Sequence, residues 1–435
     1  MTYPETIRYL ESFINYEKIP AYPYKESLKL ERIRGFLDAL GNPEDSLRCI
    51  HVAGTKGKGS TSAFLTYILR EGGYKTGLYT SPHLSDFRER IRILNPQSLA
   101  PVPQPEFEGI ILPEDLAGLV KRLKPEIEKY NRRSPYGALS FFEVYTALAL
   151  TYFKERKVDF AVLETGLGGR LDATNAVNPL VCAITPISYE HTQKLGNTLR
   201  EIAKEKAGII KSRIPGSIVI SAPQEKEAIE VIRARCKEAG AKLYEINPDN
   251  YRRFKIKLLG EHQQINANLA AEIIKALGAY GIKIKREAIK KGLYHTVWPG
   301  RCETVSRNPL AVLDGAQNLA SSRALKKTIK ENFKYRKLIL VLGISSDKDI
   351  KGICHELSGL ADSVILTRAD SPRAAKPEVL GGYFKDKERY LTNSVKEAIS
   401  LAKQKAGTRD LILVTGSLFV VGEAREIFYG FVSVR

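Results

Sequence analysis

The sequence predicts an α/β fold in two domains, and two observations support this prediction. Short apolar stretches of strand length alternate with amphipathic stretches of helix length, a pattern typical of βαβ units with a mostly parallel sheet. A chain of 435 residues also exceeds what one hydrophobic core usually accommodates. We place the joint at Val297-Trp298-Pro299-Gly300-Arg301, so that residues 1–297 form the larger domain and residues 298–435 the smaller one.

Composition narrows the class of protein. Hydrophobic residues make up 43% of the chain and charged residues 27%, as in a soluble globular protein. No apolar run is long enough to span a bilayer, and the N-terminus lacks the apolar core of a signal peptide. The five cysteines stand singly, without the paired spacing of zinc or redox sites. We therefore expect a cytoplasmic protein that has no membrane partner.

The net charge of +19 suggests an anionic partner. Nucleic acid, an acidic membrane surface and anionic small substrates would each fit a basic chain. The basic residues form no tail or arginine-rich run; they alternate with acidic residues over predicted helix faces. A polyanionic metabolite such as ATP is therefore at least as good an explanation as DNA.

The N-terminal 45 residues are predicted to be mostly helical and to pack outside the first strand. A second helix is expected from Leu28 to Leu40, where Gly41 and Pro43 end it. The first helix is expected to present one apolar face, formed by Ile7, Leu10, Phe13 and Ile14.

A glycine-rich loop follows the first predicted strand and opens a helix; it reads Gly54-Thr55-Lys56-Gly57-Lys58-Gly59-Ser60. In such a loop successive backbone N–H groups turn toward one anion, and the helix N-terminus and a lysine add positive charge. The match to the common P-loop pattern is imperfect, because Gly59 stands between the lysine and the hydroxyl. The strand before it and the amphipathic helix after it favour a nucleotide site over an ordinary turn. We therefore expect residues 1–297 to be a P-loop-type ATPase domain.

Three further polar residues follow or end predicted strands in this domain: Ser81, Glu164 and His191. Ligands of open α/β sheets collect at the C-terminal ends of the strands. A hydroxyl, a carboxylate and a neutral imidazole, together with phosphate oxygens, would suit Mg²⁺. Taken singly, Ser81 could be a turn former before proline and His191 an ordinary surface or core residue.

The remaining pattern completes the two domains. Residues 95–113 are rich in proline and glutamine and are predicted to form a surface loop. Further helices are expected at 113–130, 142–155, 199–210, 225–239, 260–279 and 286–292, with strands at 75–80, 159–164, 180–184, 217–220 and 242–246. Beyond the joint we expect a Rossmann-like α/β domain with strands at 310–313, 337–342, 363–367 and 410–415, and helices at 321–333, 394–403 and 419–427.

Two residues of the second domain suggest that both domains contact the nucleotide. Asp314 follows the strand at 310–313, again a carboxylate at a strand end. Arg301, at the joint, could bind a phosphate with two parallel hydrogen bonds. An interdomain crevice that closes over ATP is therefore expected.

A series of motifs in this order resembles the folylpolyglutamate synthase/dihydrofolate synthase family of the Mur ligase superfamily. The resemblance runs across nearly the whole chain, and the motif from Glu164 to Asn175 is its most specific part. The motifs are Gly54-Thr55-Lys56-Gly57-Lys58-Gly59-Ser60, Thr80-Ser81-Pro82-His83-Leu84, Glu164-Thr165-Gly166-Leu167-Gly168-Gly169-Arg170-Leu171-Asp172-Ala173-Thr174-Asn175, Glu190-His191-Thr192, Glu205-Lys206-Ala207-Gly208-Ile209-Ile210, Pro299-Gly300-Arg301 and Asp314-Gly315-Ala316.

The resemblance implies an ATP-dependent amide ligase that adds L-glutamate to dihydropteroate, to (poly)glutamyl tetrahydrofolate or to both, through an acyl phosphate. It implies catalytic roles for Lys58, Lys206, Glu164 and His191, and two Mg²⁺ ions, one held by Ser81 and the other by Glu164 and His191. It implies ATP binding by Lys56, Gly57, Lys58, Gly59, Ser60, Asn266, Arg301 and Asp314. It implies a pteroate site lined by Ser140, Phe141, Phe142, Asp172 and Ala173; for the two phenylalanines plain core packing is an equal alternative.

Lys206 matches the lysine that the family carbamylates, and without that modification it would be an ordinary helix lysine. Gln317 is a departure, because the family typically has Asp-Gly-Ala-His-Asn where this chain has Asp314-Gly315-Ala316-Gln317-Asn318. Glutamine cannot titrate, so any general-base role there is in doubt, although it can still form hydrogen bonds and we expect activity to survive.

Two other functions stay open at this point. The first is a Mur-type ligase that joins amino acids to a cell-wall nucleotide precursor, which would share the loop but would not predict the Leu167-to-Asp172 sequence. The second is a basic nucleotide-dependent switch that binds nucleic acid, which the charge alone would favour. We expect a monomer that binds ATP, L-glutamate and dihydropteroate or a reduced folate, and no nucleic acid.

Overall fold

The computed structural model describes residues 1–19, 21–97, 107–211 and 216–431. Two separate sheets, one of seven strands and one of six, organise the chain. The first sheet is built from residues before the predicted joint and the second from residues after it. The α/β prediction is confirmed.

The larger sheet has the strand order β3-β2-β4-β1-β5-β6-β7. All neighbouring strands run parallel except β3, which pairs antiparallel with β2 at one edge. The strands are β1 Cys49–Ala53, β2 Thr76–Tyr79, β3 Ile91–Leu94, β4 Phe160–Glu164, β5 Val181–Ile184, β6 Ile218–Ser221 and β7 Lys242–Glu245.

Helices cover both faces of this sheet. On one face, α1, α3, α5 and α6 pack against β1, β2 and β4. On the same face, α8 and α9 pack against β5 and β6. On the opposite face, α4, α10 and α11 pack against the sheet. The helices are α1 Tyr3–Glu11, α2 Tyr24–Ser27, α3 Leu30–Ala39, α4 Lys58–Glu71, α5 Pro113–Arg133, α6 Phe141–Glu155, α7 Thr192–Leu195, α8 Leu199–Ala207, α9 Lys226–Ala239, α10 Glu261–Ala276 and α11 Arg286–His295.

The smaller sheet has the order β12-β11-β10-β13-β9-β8 and is parallel except for β8, which pairs antiparallel with β9. Its elements are β8 Glu303–Arg307, β9 Leu310–Leu313, α12 Leu319–Asn332, β10 Leu338–Leu342, α13 Ile350–Ser358, β11 Ser363–Leu366, α14 Pro377–Gly381, β12 Glu388–Leu391, α15 Val395–Lys405, β13 Leu411–Thr415 and α16 Leu418–Tyr429.

Strand β1 lies at the centre of the larger sheet and fixes where a ligand binds. Its neighbours are β4, which ends at Glu164, and β5, which precedes the segment that carries His191. Val52 pairs with Glu164, and Ala53 pairs with Ile184. The chain continues from β1 toward one edge of the sheet and from β5 toward the other. The loop after β1 therefore lies at the topological switch point, where ligands of open α/β sheets usually bind.

Several local predictions need correction. Helix α1 ends at Glu11, so Phe13 and Ile14 lie beyond it, and Ile14 is exposed rather than on an apolar helix face. The helix predicted from Leu28 begins at Leu30 as α3, because Leu28 and Lys29 adopt extended backbone. The described residues also contain elements without a prediction: β3, β8, β12, α2, α7, α13 and α14. Of the predicted surface loop at 95–113, residues 98–106 lie outside the described residues.

The two domains contact each other directly. Ser85 Oγ donates a hydrogen bond to Gly422 O in α16 (3.3 Å), and Arg373 Nη1 donates to the backbone oxygen of Glu17 (2.8 Å). A side chain at Gly422 would meet the Leu84 carbonyl oxygen at 2.1 Å, so the backbones pack closely there. Within the described part of the chain, no helix combines the length and apolarity needed to cross a membrane.

Candidate active site

The loop after β1 has the geometry of an anion-binding turn. Gly57 has a left-handed backbone (φ 84°) and directly precedes Lys58, the first residue of α4. A Cβ at Gly57 would lie 2.2 Å from Asn266 Oδ1, so only glycine fits between the loop and α10. The first N–H groups of a helix have no partner within the helix and face outward as anion donors. The predicted nucleotide-binding residues 56–60 therefore span the end of the loop and the first turn of α4, with Asn266 against Gly57, and we call this segment, together with residues 54–55, the nucleotide loop.

Trp298 packs against the other side of this loop. A Cβ at Gly59 would meet Trp298 Cζ2 at 3.1 Å and Nε1 at 3.3 Å. Trp298 lies in the connection between α11 and β8, and it is the single tryptophan of the chain. The nucleotide loop and the domain joint are therefore in direct contact.

Ser81 and Glu164 meet beside the loop, as predicted. The backbone N–H of Ser81 donates to Glu164 Oε2 (3.3 Å). Burial raises the pKa of Glu164, and the charges of Lys58 and Arg301 and the Ser81 N–H oppose this shift. A carboxylate this deeply buried requires positive charge around it, and here that charge comes from the nucleotide loop and the domain joint.

Lys206 lies beneath the loop in α8. Its Nζ donates to Gly54 O (2.8 Å), and the side chain is buried. Burial, reinforced by the positive charge of Lys58, lowers the pKa of Lys206 to about 7. A large fraction of its amine is therefore neutral near pH 7, unlike an ordinary lysine.

The glycines after Glu164 let this segment approach α8. A Cβ at Gly169 would lie 2.8 Å from the Lys206 carbonyl oxygen and 2.9 Å from that of Glu205. Arg170 then pairs with Glu205 (2.8 Å), and its N–H donates to the Glu205 carbonyl (2.7 Å). The glycine-rich motif thus explains how Lys206 is held beside Gly54.

Glu190 and His191 approach the loop from β5. Glu190 Oε1 accepts hydrogen bonds from Lys56 Nζ and from Asn318 Nδ2, both at 2.9 Å. Burial alone would raise the pKa of Glu190, but Lys56 and His191 outweigh it and hold the pKa well below its ordinary range. Burial lowers the pKa of His191 to about 3, so its imidazole is neutral at physiological pH.

The C-terminal domain supplies the other wall. Asp314 follows β9, and its carboxylate accepts from the N–H groups of Cys302 and Ala316, both at 2.9 Å. Arg301 lies close to Gly315, because a Cβ there would lie 2.5 Å from Arg301 Nη1. Electrostatic interaction of Arg301 with Glu164 connects this wall to the larger domain. These contacts and charges link residues of both domains, and we refer to the region between Lys58, Glu164, Arg301 and Asp314 as the interdomain crevice.

The residues predicted for a pteroate site divide into two groups. Asp172 and Ala173 begin the turn after the glycine motif, and the Phe142 ring touches that motif, since a Cβ at Gly166 would lie 2.7 Å from Phe142 Cζ. Ser140 instead caps α6 through Glu143, and the Phe141 ring is fully buried against Arg90 and Tyr145. The structure therefore brings Phe142 together with the motif that Asp172 and Ala173 follow, whereas Ser140 and Phe141 take part in helix capping and core packing.

The oxygen donors at this crevice are compatible with Mg²⁺. Among the residues that the structure describes, no three side chains of the His, Cys, Asp and Glu types come together as a metal cluster. Mg²⁺ in phosphate sites typically takes only one or two carboxylates and keeps waters and phosphate oxygens as its other ligands. The buried Glu164 beside Ser81, with a raised pKa, is a donor set that a divalent cation would stabilise.

Two surface depressions lie away from this crevice. One of about 260 Å³ lies between α5 and the end of α6, where Asp115, Arg122, Glu155 and Arg156 already form ion pairs. The other, of about 490 Å³, lies between α10 and β6–β7, and its Asn268 is saturated by hydrogen bonds to the backbone. The polar side chains named for these two depressions are therefore already engaged within the protein.

Some site residues were not predicted from the sequence. Glu190 contacts Lys56, Trp298 contacts Gly59, and Asn318 donates a hydrogen bond to Glu190. Lys348 of the smaller domain acts electrostatically on Glu190 and His191. Two signals pointed to them: Glu190 directly precedes His191, and Trp298 is the single tryptophan and lies at the joint. No local pattern pairs Glu190 with a residue 128 positions away in another domain.

Comparisons with known proteins support this picture. Residues 300–418 match the family model "Mur ligase, glutamate ligase domain". The chain is 34% identical over 422 residues to the dihydrofolate synthase/folylpolyglutamate synthase of Bacillus subtilis, covering 91% of this chain and 94% of that protein. It is 31% identical to the folylpolyglutamate synthase of Lacticaseibacillus casei, covering 99% of both chains.

Solved structures are similar over the same length. The folylpolyglutamate synthase of Mycobacterium tuberculosis complexed with ADP aligns with a TM-score of 0.85 at 30% identity, covering 98% of both chains. The E. coli FolC protein in complex with DHPP and ADP aligns with a TM-score of 0.80 at 29% identity, covering 99% of this chain and 98% of that one. Both similarities extend across the two domains and the crevice between them.

Proposed function

Because this chain belongs to the folylpolyglutamate synthase/dihydrofolate synthase family of ATP-dependent ligases, we propose that it joins L-glutamate to a pteridine-bearing carboxylic acid. The observation that carries the proposal is the contact of the nucleotide loop with residues from both domains. Lys56, Glu190 and Asn318 form one hydrogen-bonded group, and Glu164 lies beside Ser81 in the same crevice. Relatives that bind ADP share this two-domain arrangement.

The chemistry requires an activated acid. A carboxylate is inert toward an amine, because its leaving group would be oxide, so ATP first converts it to an acyl phosphate. Lys58 and the N–H groups at the start of α4 stabilise the charge that develops on the transferred phosphate. The neutral amine of glutamate then attacks, and the tetrahedral intermediate expels phosphate to leave ADP, phosphate and a new amide.

Mg²⁺ would be held by Ser81 at one position and by Glu164 and His191 at another, and when bound it would neutralise phosphate charge. Support for these ligands comes from the 3.3 Å contact between the Ser81 N–H and Glu164 and from the neutral state of His191. A neutral imidazole retains a lone pair for a metal, whereas an imidazolium does not.

Lys206 is the proposed site of carbamylation. Carbon dioxide reacts with a neutral amine, and burial lowers the pKa of Lys206 to about 7, which provides that form near neutral pH. The product is an anion, and Lys58, whose charge already acts on Lys206, would pair with it. Conversion from cation to anion would also remove the repulsion between these two lysines.

Both acceptor acids remain in the proposal, and we favour an enzyme that uses dihydropteroate and a reduced folate. Phe142 and Asp172 would line the pteridine end of the site, with Ala173 beside them and with Ser140 and Phe141 as support. Residues 1–297 would bind ATP, and residues 298–435 would act as the glutamate-ligase domain. We further propose a monomeric cytoplasmic enzyme without a nucleic-acid partner.

A phosphate-release assay tests the function. Purified protein with ATP and Mg²⁺ should release phosphate only when L-glutamate and either dihydropteroate or a reduced folate are both present. Lys58→Met is the matched inactive variant, and we expect its kcat to fall by roughly 10²-fold or more. Release that depends on a cell-wall nucleotide precursor would identify a different ligase, and release stimulated by DNA would identify a nucleotide-dependent switch.

A further inference from the structure

A buried chain of hydrogen bonds lies beneath Asp172. His51 Nε2 lies 2.8 Å from Thr174 Oγ1, and Thr174 Oγ1 lies 2.5 Å from Asp172 Oδ1. His51 and Thr174 have no exposed surface, and Asp172 is 3% exposed. His51 stands in the central strand β1, so the chain connects the middle of the sheet to Asp172 at the end of the glycine-rich motif.

The hydrogen-bonding capacities of the three groups determine the direction of the chain. A carboxylate only accepts, so the Thr174 hydroxyl donates to Asp172. The Thr174 oxygen must then accept from His51, which places the imidazole proton on Nε2. His51 Nδ1 is left as a lone pair, and it is buried without a hydrogen-bond partner. Burial lowers the pKa of His51 to about 3, in agreement with a neutral ring.

The Asp172 carboxylate is held from two further sides. Oδ1 also accepts from the Thr174 N–H (3.0 Å), and Oδ2 accepts from the Leu167 N–H (2.8 Å). The carboxylate plane is therefore fixed relative to both ends of the glycine-rich motif. Of these contacts, only the one through the Thr174 hydroxyl continues to a second side chain.

A purely structural role does not explain His51. A buried imidazole with an unpaired nitrogen is less favourable than an apolar residue of similar size, which would leave no polar atom without a partner. Its neighbours across the sheet are Leu163 and Cys182, and neither of them forms a hydrogen bond with the ring in the described structure. The one hydrogen bond that His51 makes is directed at Thr174.

We propose that His51 is a positioning residue for the pteridine-bearing substrate, acting through Thr174 to hold Asp172 in one orientation. The proposal rests on the proposed function, in which Asp172 contacts that substrate. His51 itself touches neither substrate nor nucleotide. Loss of the chain should therefore weaken use of the pteridine acid and leave use of ATP unchanged.

Steady-state kinetics of isosteric variants tests this. We expect Thr174→Val and His51→Leu each to raise KM for the pteridine acid about tenfold, the size of effect that loss of one well-placed hydrogen bond produces. KM for ATP should stay within about threefold of the original value, because the hydrogen bonds of both side chains lead to Asp172 and not to the nucleotide loop. The double variant should be no worse than Thr174→Val alone, because both changes interrupt the same chain.

Three further variants serve as controls. Thr174→Ser keeps the hydroxyl and His51→Gln keeps a donor at a similar position, so both should lie closer to the unchanged enzyme than the apolar variants do. Cys182→Ala removes a buried side chain that pairs with His51 in the sheet but takes no part in the chain. It should leave KM for the pteridine acid unchanged even if it lowers the melting temperature.

The tautomer of His51 provides a test that needs no variant. In ¹⁵N-labelled protein, we expect His51 to carry its proton on Nε2 and to show no titration between pH 5 and 8, as its pKa of about 3 requires. A proton on Nδ1, a titration in this range, or parallel changes in both KM values would overturn the proposal. If the protein without substitutions ligates no pteridine acid, the proposed function is wrong. If Asp172→Asn raises KM for the pteridine acid and Thr174→Val does not, the proposed function stands and only the role of His51 is wrong.

Discussion

Asn318, which caps helix α12 in the C-terminal domain, donates a hydrogen bond from Nδ2 to Glu190 Oε1 in the N-terminal domain (2.9 Å). The same oxygen accepts from Lys56 Nζ of the nucleotide loop (2.9 Å). Glu190 thus accepts hydrogen bonds both from the loop proposed to bind phosphate and from the domain proposed to act as the glutamate-ligase domain. A rigid-body movement that separates the two domains at this point would break the hydrogen bond between Asn318 and Glu190.

The contact predicts a defined effect of Asn318→Asp. Aspartate still caps α12 but loses the donor and places a carboxylate opposite Glu190, so the two domains should repel each other at this point. We expect kcat/KM to fall about tenfold in ligase assays, with little change in melting temperature.

Glu190→Gln combined with Asn318→Asp is the matched test of that cause. The introduced glutamine can donate to the introduced aspartate, and Lys56 can pair with that aspartate, so the double variant should recover most of the activity lost by Asn318→Asp alone. Asn318→Ser, which keeps a cap without a charge, should be affected less than Asn318→Asp. Equal losses in all three variants would show that the contact does not couple the domains.

Lys206→Met should abolish most ligase activity, because it removes both the buried amine and its carbamate. Lys204→Met is the matched control, since Lys204 lies on the exposed side of the same helix. We expect a loss of roughly 10²-fold or more for Lys206→Met, as for removal of one preorganised polar group in an active site, and none for Lys204→Met. Equal activities would count against the carbamate.

The depressed pKa of Lys206 also predicts a pH dependence of stability. The unfolded lysine titrates near its ordinary value, about 10.4, and the folded one at about 7, so the unfolded state binds more protons between these values. The contribution of this group to the free energy of unfolding should therefore rise as pH increases from 7 to about 10.4. Below pH 7 it is constant and unfavourable, because a charged amine is buried. This rise belongs to the unmodified amine, so urea unfolding of protein kept free of carbon dioxide should show it, and Lys206→Met across the same range should lack it.

Trp298 should report nucleotide binding by fluorescence. Its indole packs on Gly59 in the nucleotide loop, and the chain has one tryptophan, so emission comes from this position alone. Saturating ADP with Mg²⁺ should shift or quench the emission, with a midpoint that matches the Kd from calorimetry. Lys58→Met at the same ADP concentration should show a smaller change. Tight binding by calorimetry without any change in emission would contradict the packing.

Gln317→His introduces the residue that the family resemblance leads us to expect at this position, and it should leave turnover within about threefold if the side chain at 317 only forms hydrogen bonds. It adds a group with an ordinary pKa of about 6.5, so the pH–rate profile should gain a step near that value if position 317 contacts the reacting groups. An unchanged profile would place the position outside the chemistry. A large increase in kcat at pH 8 would mean that the glutamine limits this enzyme.

Much of the site could be predicted from the sequence, because its parts lie at the ends of strongly patterned strands. The glycine loop, Ser81, Glu164, His191 and Asp314 each follow an apolar run, and the ends of parallel strands lie at one edge of a sheet. The strands β8 and β12 were missed because most of their residues are exposed or half-buried, which leaves little apolar pattern to detect. Strand β3 is mostly buried, but Arg92 interrupts its short apolar run. Phe141 and Phe142 are adjacent, and the sequence could not decide which ring faces the crevice.

The sequence by itself determined the fold class, the order of the strongly patterned strands and helices along the chain, and the family, because these follow from local periodicity and from contiguous motifs. Only the tertiary structure decided which polar groups meet: Glu190 with Asn318, Trp298 with Gly59, and His51 with Asp172 through Thr174. Glu190 and Asn318 are 128 residues apart, and His51 and Thr174 are 123 apart. Pairings of this kind depend on how two sheets and their helices pack, and no pattern within a short stretch of chain records that geometry.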